Sequence, residues 1–329
     1  MCTSVALRTK NRLSFLGRNM DFVDLPADYN IYVFPRNYQW VNREDQKTIT
    51  NPYAIIGMGL MGQNQFAMID GMNEQGLMGA VLYFEGYAYY STPKNNVINL
   101  ACYDVLFWAL SQFQSIEELA EHIAQVNIVG AKIEVLDSIP PMHWIFSDRS
   151  GRSIVVEKTK KGLKVHANKI GVMTNSPDFE WQLTHLGIYS TVSADDPEEA
   201  TWGRYPLEGG DLLSGTFGIP GDFSSPSRFV RAAFMRNHIE PVTNEVGGVR
   251  NTFKTLEYCE VAKGAELSDN LSWYTIYTNA MCAQSGTYYY NTYNNHQINA
   301  INLFKHDLNA KKVKKYPFLN KESIHFQHK

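Results

Sequence analysis

The order of its apolar segments constrains this chain most. Near the N-terminus, runs at 3–9, 13–19, 29–36, 54–58, 66–71 and 77–83 are short and either apolar or alternating. Gly, Asn, Asp and Pro separate them, the pattern of consecutive strands. Helical spacing follows over 97–112, where Ile98, Ala101, Cys102, Leu106 and Ala109 recur on one face. A second helix is expected over 115–123, opened by Ser115-Ile116-Glu117-Glu118 in the form of a capping box. Strands return at 142–147, 153–158, 163–167 and 171–175, helices at 178–189, 227–239 and 246–261, and strands again at 273–283, 287–292 and 297–304. Blocks of strands alternating with blocks of helices do not suit the βαβ repeat of a doubly wound sheet. They predict an α+β chain of stacked antiparallel sheets with helices on the outer faces.

No linker or repeat divides the 329 residues, so a single domain over 1–329 is expected. Residues 192–224 are rich in Asp, Glu, Gly, Pro and Ser and read as a long irregular excursion. Loops of that length are usually functional or make subunit contacts. The net charge of −3 and scattered basic residues argue against a nucleic-acid partner, and the run Lys311, Lys312, Lys314, Lys315 reads as a solvated turn or strand edge. No stretch approaches the length of a membrane helix, and the start lacks the apolar run of a secretory signal. A cytoplasmic location with reduced thiols is expected. Among the cysteines Cys2, Cys102, Cys259 and Cys282 there is no CxxC pair, and Cys102 and Cys259 read as buried core thiols. Neither GxGxxG after a strand, nor GxxxxGK[ST], nor HExxH, nor GxSxG occurs, so no nucleotide, metal or organic cofactor is expected.

The residues that can do chemistry start at Cys2. A small second residue allows removal of Met1, which would place a thiol and a free α-amine on one residue. An α-amine titrates near 8 and a thiol near 8.5, so the amine can serve as a base and the thiol is readily activated. Arg18 and Asp21 lie in Gly17-Arg18-Asn19-Met20-Asp21, at the end of a strand able to return beside the first. A cation near a thiol favours thiolate, and a carboxylate can hold an amine. Asn175 ends a strand and can offer an amide N–H to an oxyanion. Arg228 opens a helix and can reach into a site. Each has a plainer reading: a frayed terminus, a surface Arg–Asp pair, a turn Asn, an Arg paired with a nearby acid. His143, within an apolar strand, reads as a satisfied core histidine.

The ordered set Met1-Cys2-Thr3-Ser4, Gly17-Arg18-Asn19-Met20-Asp21, Gly71-Met72-Asn73-Glu74, Gly171-Val172-Met173-Thr174-Asn175-Ser176-Pro177, Gly218-Ile219-Pro220-Gly221-Asp222-Phe223, Ser227-Arg228-Phe229 and 286–293 resembles the choloylglycine hydrolase family. That family contains bile salt hydrolases and penicillin V acylases, and the likeness spans almost the whole chain. It implies an N-terminal-nucleophile αββα sandwich with Cys2 as nucleophile and Met1 removed. Arg18 would sit by the thiol, Asp21 would hold the α-amine, Asn175 would donate to the oxyanion, and Arg228 would order the nucleophile. Typical bile salt hydrolases carry Asn where this chain has Tyr83, whereas penicillin V acylases resemble it there and over 274–285. Tyr83 would then contribute its backbone N–H as second oxyanion donor, with its ring suited to a flat aryl acyl group. The branch implied is a penicillin V acylase removing a phenoxyacetyl group. The alternatives are a bile salt hydrolase releasing glycine or taurine, another N-acyl amidase, or an inactive scaffold, which the presence of Cys2, Arg18 and Asp21 disfavours. The resemblance also implies a homotetramer, with 192–224 as the assembly segment, and loops at 22–28, 58–65 and 130–141 that set specificity.

Overall fold

The computed structural model describes residues 1–25, 28–61, 66–208 and 213–328. Two antiparallel sheets lie face to face. The first has seven strands: Val172–Met173, Cys2–Arg8, Ser14–Phe22, Leu271–Cys282, Thr287–Thr292 and Asn295–Asn302 in order, with Glu266–Ser268 paired to the near end of Leu271–Cys282. The second has eight: Gly162–Ala167, Ser153–Thr159, Met142–Ser147, Met78–Tyr83, Phe66–Asn73, Ile55–Met61, Tyr29–Phe34 and Lys314–Pro317. Helices Ser225–His238 and Glu245–Glu257 cover the outer face of the first sheet, and helix Val105–Gln112 that of the second. The stacked antiparallel sheets expected from the segment order, and the αββα sandwich that the resemblance implies, are the fold observed.

The inner strands, such as Cys2–Arg8, Ile55–Met61 and Met142–Ser147, carry buried residues at nearly every position, as sheets covered on both faces require. One apolar cluster runs through both sheets and the Val105–Gln112 helix, including Phe34, Phe107, Trp144 and Tyr288. A smaller one, with Phe15, Val249 and Phe253, seats the Glu245–Glu257 helix. That helix packs so closely that a Cβ on Gly17 would stand 2.4 Å from Thr252 Cγ2 and 2.6 Å from the Asn279 carbonyl. Gly17 thus lets the helix press directly on the strand that carries Arg18.

The Ser115 hydroxyl caps the Ile116–Ile123 helix by accepting from the Glu118 N–H, as the capping-box pattern predicts. The expected helix over 97–112 is corrected. Ile98–Ala101 is a strand, parallel to Val126–Val129, and helix begins only at Val105. The buried Asn99 side chain decides this, because its amide bonds Asp45, Lys94 and Asn127 and ties the segment to loops rather than to a helical turn. The hairpin Gln39–Asn42/Lys47–Thr50 was not foreseen. The basic run near the C-terminus contributes Lys314–Pro317, an edge strand against Tyr29–Phe34. Within 192–224 a short hairpin, Ala200–Trp202/Tyr205–Leu207, interrupts the irregular path, and 209–212 lie outside the described residues. The same holds for 26–27 and 62–65 in two of the loops expected to set specificity. Among the described residues, no helix is long and apolar enough to cross a membrane.

Candidate active site

Register brings the first pair together. The Cys2–Arg8 and Ser14–Phe22 strands pair with Ser4 opposite Arg18 and Cys2 opposite Met20. Because side chains alternate across a strand, Arg18 and Cys2 become diagonal neighbours on one face. Arg18 Nη2 donates to Cys2 Sγ at 2.6 Å. Cys2 is 3% exposed, and Arg18 is fully buried between the sheets. The remaining guanidinium donors are used: Nη1 reaches the Val81 carbonyl at 3.1 Å, Nε the Asn19 carbonyl at 3.3 Å, and Nη2 also meets Met20 Sδ at 3.1 Å.

A buried charge requires a partner. For Arg18 it is Asp70, on the opposite sheet, whose Oδ2 lies 3.7 Å from Nη1. Asp70 accepts from Asn279 Nδ2 at 2.7 Å, from the Tyr288 hydroxyl at 2.5 Å and from the Tyr277 hydroxyl. Asn279 closes the circuit, since its Oδ1 accepts from the Arg18 backbone N–H at 2.9 Å. Burial works against the Arg18 charge, yet the Cys2 sulfur, Tyr277, Asp70 and Asp21 together hold the guanidinium above its ordinary value. Burial pushes the Asp70 carboxyl up, while Arg18 and its three donors pull the other way. Reading the sequence missed this support. The one signal it offered is an Asp inside the apolar run before the Gly71-Met72-Asn73-Glu74 motif.

A second constellation surrounds the Cys2 backbone. Asn175 follows the short Val172–Met173 strand and precedes a cis Ser176–Pro177 bond. Its Oδ1 accepts from the Cys2 N–H at 2.7 Å and from Arg228 Nη2 at 2.8 Å, and its Nδ2 donates to the Tyr83 carbonyl at 2.7 Å. Arg228, fully buried in the first turn of its helix, also donates to the Cys2 carbonyl and to Thr3 Oγ1 at 2.7 Å. Asp21 is fully buried too. Its Oδ1 accepts from Thr275 Oγ1 at 2.6 Å, while Oδ2 has no hydrogen-bond partner and lies 3.9 Å from Arg228 Nη1. Met1 bonds the Asp21 backbone through both its nitrogen, at 2.8 Å, and its carbonyl, at 3.1 Å. Burial lowers the Met1 α-amine below its usual value, against the pull of Cys2 and Asp21.

Tyr83 ends its strand at the same point. The Val81 and Tyr83 carbonyls accept from Arg18 and Asn175, whereas the Phe84 N–H turns the other way, to the Pro141 carbonyl. In an extended strand a residue's N–H and C=O share a side, so the Tyr83 N–H points to the side on which its carbonyl meets Asn175. The neighbouring Phe66–Asn73 strand pairs only as far as Ala80, which leaves that side open. The Tyr83 ring is half-buried and meets Phe22 edge-on at 5.6 Å.

The structure therefore gathers every residue singled out from the sequence: Cys2, Arg18, Asp21, Tyr83, Asn175 and Arg228. His143 is the core residue expected, stacked on Phe84 at 4.2 Å, with its ring nitrogens 3.2 Å from Glu157 Oε1 and 2.9 Å from the Thr174 carbonyl. Two cavities adjoin the cysteine. One, of about 70 Å³, has apolar walls that include Cys2, Phe22, Leu60, Ile133 and Met142. The other, of about 520 Å³, is lined by Met1, Tyr83, Asn175 and more polar residues. Among the described residues, no group of three or more His, Cys, Asp and Glu could hold a metal ion.

Paired antiparallel sheets between helices, with a cysteine leading an inner strand, define a hydrolase of the N-terminal-nucleophile fold. The family model for linear amide C–N hydrolases, choloylglycine hydrolase family, matches residues 2–316, and the chain belongs to that family. It is an enzyme acting on non-peptide C–N bonds in linear amides. It is 38% identical over 328 residues to a bile salt hydrolase/transferase of Clostridium perfringens, covering 98% of this chain and 99% of the relative. A solved conjugated bile acid hydrolase variant from Clostridium perfringens superposes with a TM-score of 0.92 at 36% identity, covering all of both chains. A penicillin V acylase of Pectobacterium atrosepticum is 28% identical over 233 residues, 68% of this chain and 56% of the acylase.

Proposed function

We propose that this protein hydrolyses amides of a bulky apolar acid, of the conjugated bile salt type, through Cys2 as an N-terminal nucleophile exposed by removal of Met1. The Arg18 N–H on the Cys2 sulfur at 2.6 Å carries the reading, because it puts a fixed positive charge where a thiolate would attack. Cys2 attacks the amide carbonyl. Asn175 Nδ2 and the Tyr83 N–H stabilise the oxyanion, each donor worth about 3–4 kcal/mol in comparable sites. The α-amine of Cys2, kept on Asn175 Oδ1, protonates the leaving amine, and a thioester remains. Water, deprotonated by the same amine, then releases the acid. The unpartnered Asp21 Oδ2 supplies the counter-charge that a Cys2 ammonium would need.

The bile salt reading is preferred over the penicillin V reading that Tyr83 suggests. Relatives carrying the bile salt name match nearly end to end, while the acylase matches less of both chains. One observation favours the acylase as a second reading: the edge-on Tyr83–Phe22 pair at the apolar cavity, which would seat a flat phenoxy ring. The experiment is kcat/KM for penicillin V against glycine- and taurine-conjugated bile salts, with Cys2→Ala as blank. Bile salts ahead support the proposal. Penicillin V ahead by about tenfold, or about 1.4 kcal/mol, would transfer the function to the second reading.

We further propose that the chain is a single domain and that the 192–224 excursion forms an assembly surface for a homotetramer. Trp202, Tyr205, Leu213 and Phe217 there are strongly exposed, more apolar surface in one segment than a solitary chain ordinarily leaves in water.

A further inference from the structure

His143 and Glu157 face each other across two strands of the second sheet, one step beyond the Trp144–Val156 pair of Met142–Ser147 and Ser153–Thr159. Both are almost fully buried. Nδ1 of the His143 ring lies 3.2 Å from Glu157 Oε1, and Nε2 lies 2.9 Å from the Thr174 carbonyl oxygen. A carbonyl oxygen only accepts, and so does a carboxylate while it is ionised. Glu157 stays ionised, its carboxyl held down at about 2. A neutral imidazole has one N–H, so it serves one of these partners and turns a lone pair towards the other. Both contacts are made only when both ring nitrogens carry protons. A parallel stack on Phe84, at 4.2 Å and 8°, holds the ring in the plane of its two partners.

These bonds end on the segment that carries Asn175. Glu157 also accepts from the Phe179 N–H, at 3.1 Å through Oε1 and 3.2 Å through Oε2, where helix Phe179–Leu186 begins. The ion pair thus grips the chain on both sides of Asn175, at Thr174 and at Phe179. The peptide joining Thr174 to Asn175 is held at both ends, its C=O by His143 and its N–H by Ser225 Oγ at 2.9 Å. Rotation of that peptide would swing the Asn175 side chain off the Cys2 N–H, Arg228 and the Tyr83 carbonyl. The other titratable groups around the pair are His166, with Nε2 3.6 Å from Glu157 Oε2, and Glu180, 3.9 Å from His166 Nδ1 and 3.0 Å from Lys164 Nζ. His166 approaches the other carboxylate oxygen and so does not stand in for His143 on Thr174.

We infer that His143 is a positioning residue: a doubly protonated ring, anchored on Glu157, that fixes the Thr174–Asn175 peptide and through it the amide that meets the oxyanion. The inference rests on Asn175 being that donor, as proposed above. A displacement of about 1 Å in a reacting constellation can cost about 100-fold in rate. Loss of the Thr174 bond should therefore lower kcat by about 10–100-fold, with KM changed only a few-fold.

Two amide substitutions divide the ring's contacts. In His143→Gln the side-chain nitrogen comes where Nε2 stood and still donates to Thr174. In His143→Asn it comes where Nδ1 stood and reaches only Glu157. kcat and KM are measured on one accepted amide, per folded chain as fixed by urea unfolding, with Asn175→Ala as reference. Both His143 variants are expected to be destabilised, yet His143→Gln keeps kcat within about threefold of wild type while His143→Asn loses about 10–100-fold. Equal kcat in the two overturns the inference and leaves His143 a structural residue. Nitrogen-15 NMR of histidine-labelled wild type gives a second reading, its His143 signals assigned by their loss in His143→Gln. Two protonated ring nitrogens are expected at the pH of full activity, and a bare nitrogen on His143 overturns the inference. If Asn175→Ala turns over like wild type, the oxyanion reading fails and the inference falls with it. If Asn175→Ala is impaired and His143→Asn is not, only the inference falls.

Discussion

Replacing Arg18 by Met removes the guanidinium while keeping a long apolar side chain. Two separable losses follow. The first is stability: Asp70 is left fully buried without the cation 3.7 Å away. Breaking a buried pair from one side typically costs about 3–5 kcal/mol. The lower end is expected here, because Asn279, Tyr277 and Tyr288 still donate to Asp70 and burial already pushes its carboxyl towards the protonated form. The second is catalytic: the sulfur loses a charge-assisted contact at 2.6 Å. Contacts of that kind are worth about 1.5–3 kcal/mol, or about 10–150-fold in kcat/KM. Arg18→Met/Asp70→Asn separates the two losses. With no buried carboxylate stranded, urea unfolding should recover most of the lost stability, while kcat/KM stays at the level of the single variant. A double variant that regains both stability and wild-type turnover would refute the argument, leaving Arg18 only a structural partner of Asp70.

Asn175→Ala should lower kcat by about 100–1,000-fold with KM changed only a few-fold, as loss of an oxyanion donor predicts; steady-state kinetics on one amide would read the split. Glu157 gives a pH prediction. Burial alone would raise its carboxyl, but hydrogen bonds from His143 and from the Phe179 N–H, with the His166 ring 3.6 Å away, hold it down at about 2. The folded value lies below the unfolded value of about 4.3, so its contribution, about 3 kcal/mol, is complete above that value and lost as pH falls towards 2. Urea unfolding from neutral to acid pH should show that decline, and Glu157→Gln should flatten it. Trp202→Ser/Phe217→Ser, two changes in the exposed excursion, should reduce the assembly mass measured by light scattering without loss of the fold; an unchanged mass would remove the assembly role of 192–224.

Most of the sandwich could be read in advance because its strands are short and bounded by turn residues, so the 29–36 and 287–292 runs landed on Tyr29–Phe34 and Thr287–Thr292. The misreading at 97–112 has a physical cause. Apolar residues of a strand, a turn and a helix fell by chance into helical spacing, and only the tertiary bonds of Asn99 reveal the break. The residues converging on Cys2 were visible as chemical types, and Arg18 also by its place on a returning strand. Their supports were not. Asp70, Thr275, Tyr277, Asn279 and Tyr288 come from segments about 50 to 270 residues away from those they hold: strand pairing in the first sheet brings Thr275 to Asp21 and Asn279 to Arg18, and the facing of the two sheets brings Asp70 to Arg18, Tyr277, Asn279 and Tyr288.

The central claim is that Cys2, freed of Met1, carries the acyl group as a thioester. Intact-protein mass spectrometry tests it on enzyme mixed with an accepted amide and quenched in acid before steady state. The account predicts a chain lacking Met1 and, within the first turnover, a species heavier by the acyl group, located on the N-terminal peptide and lost with hydroxylamine. An active enzyme that retains Met1, or an acyl group found on any other residue, would contradict it.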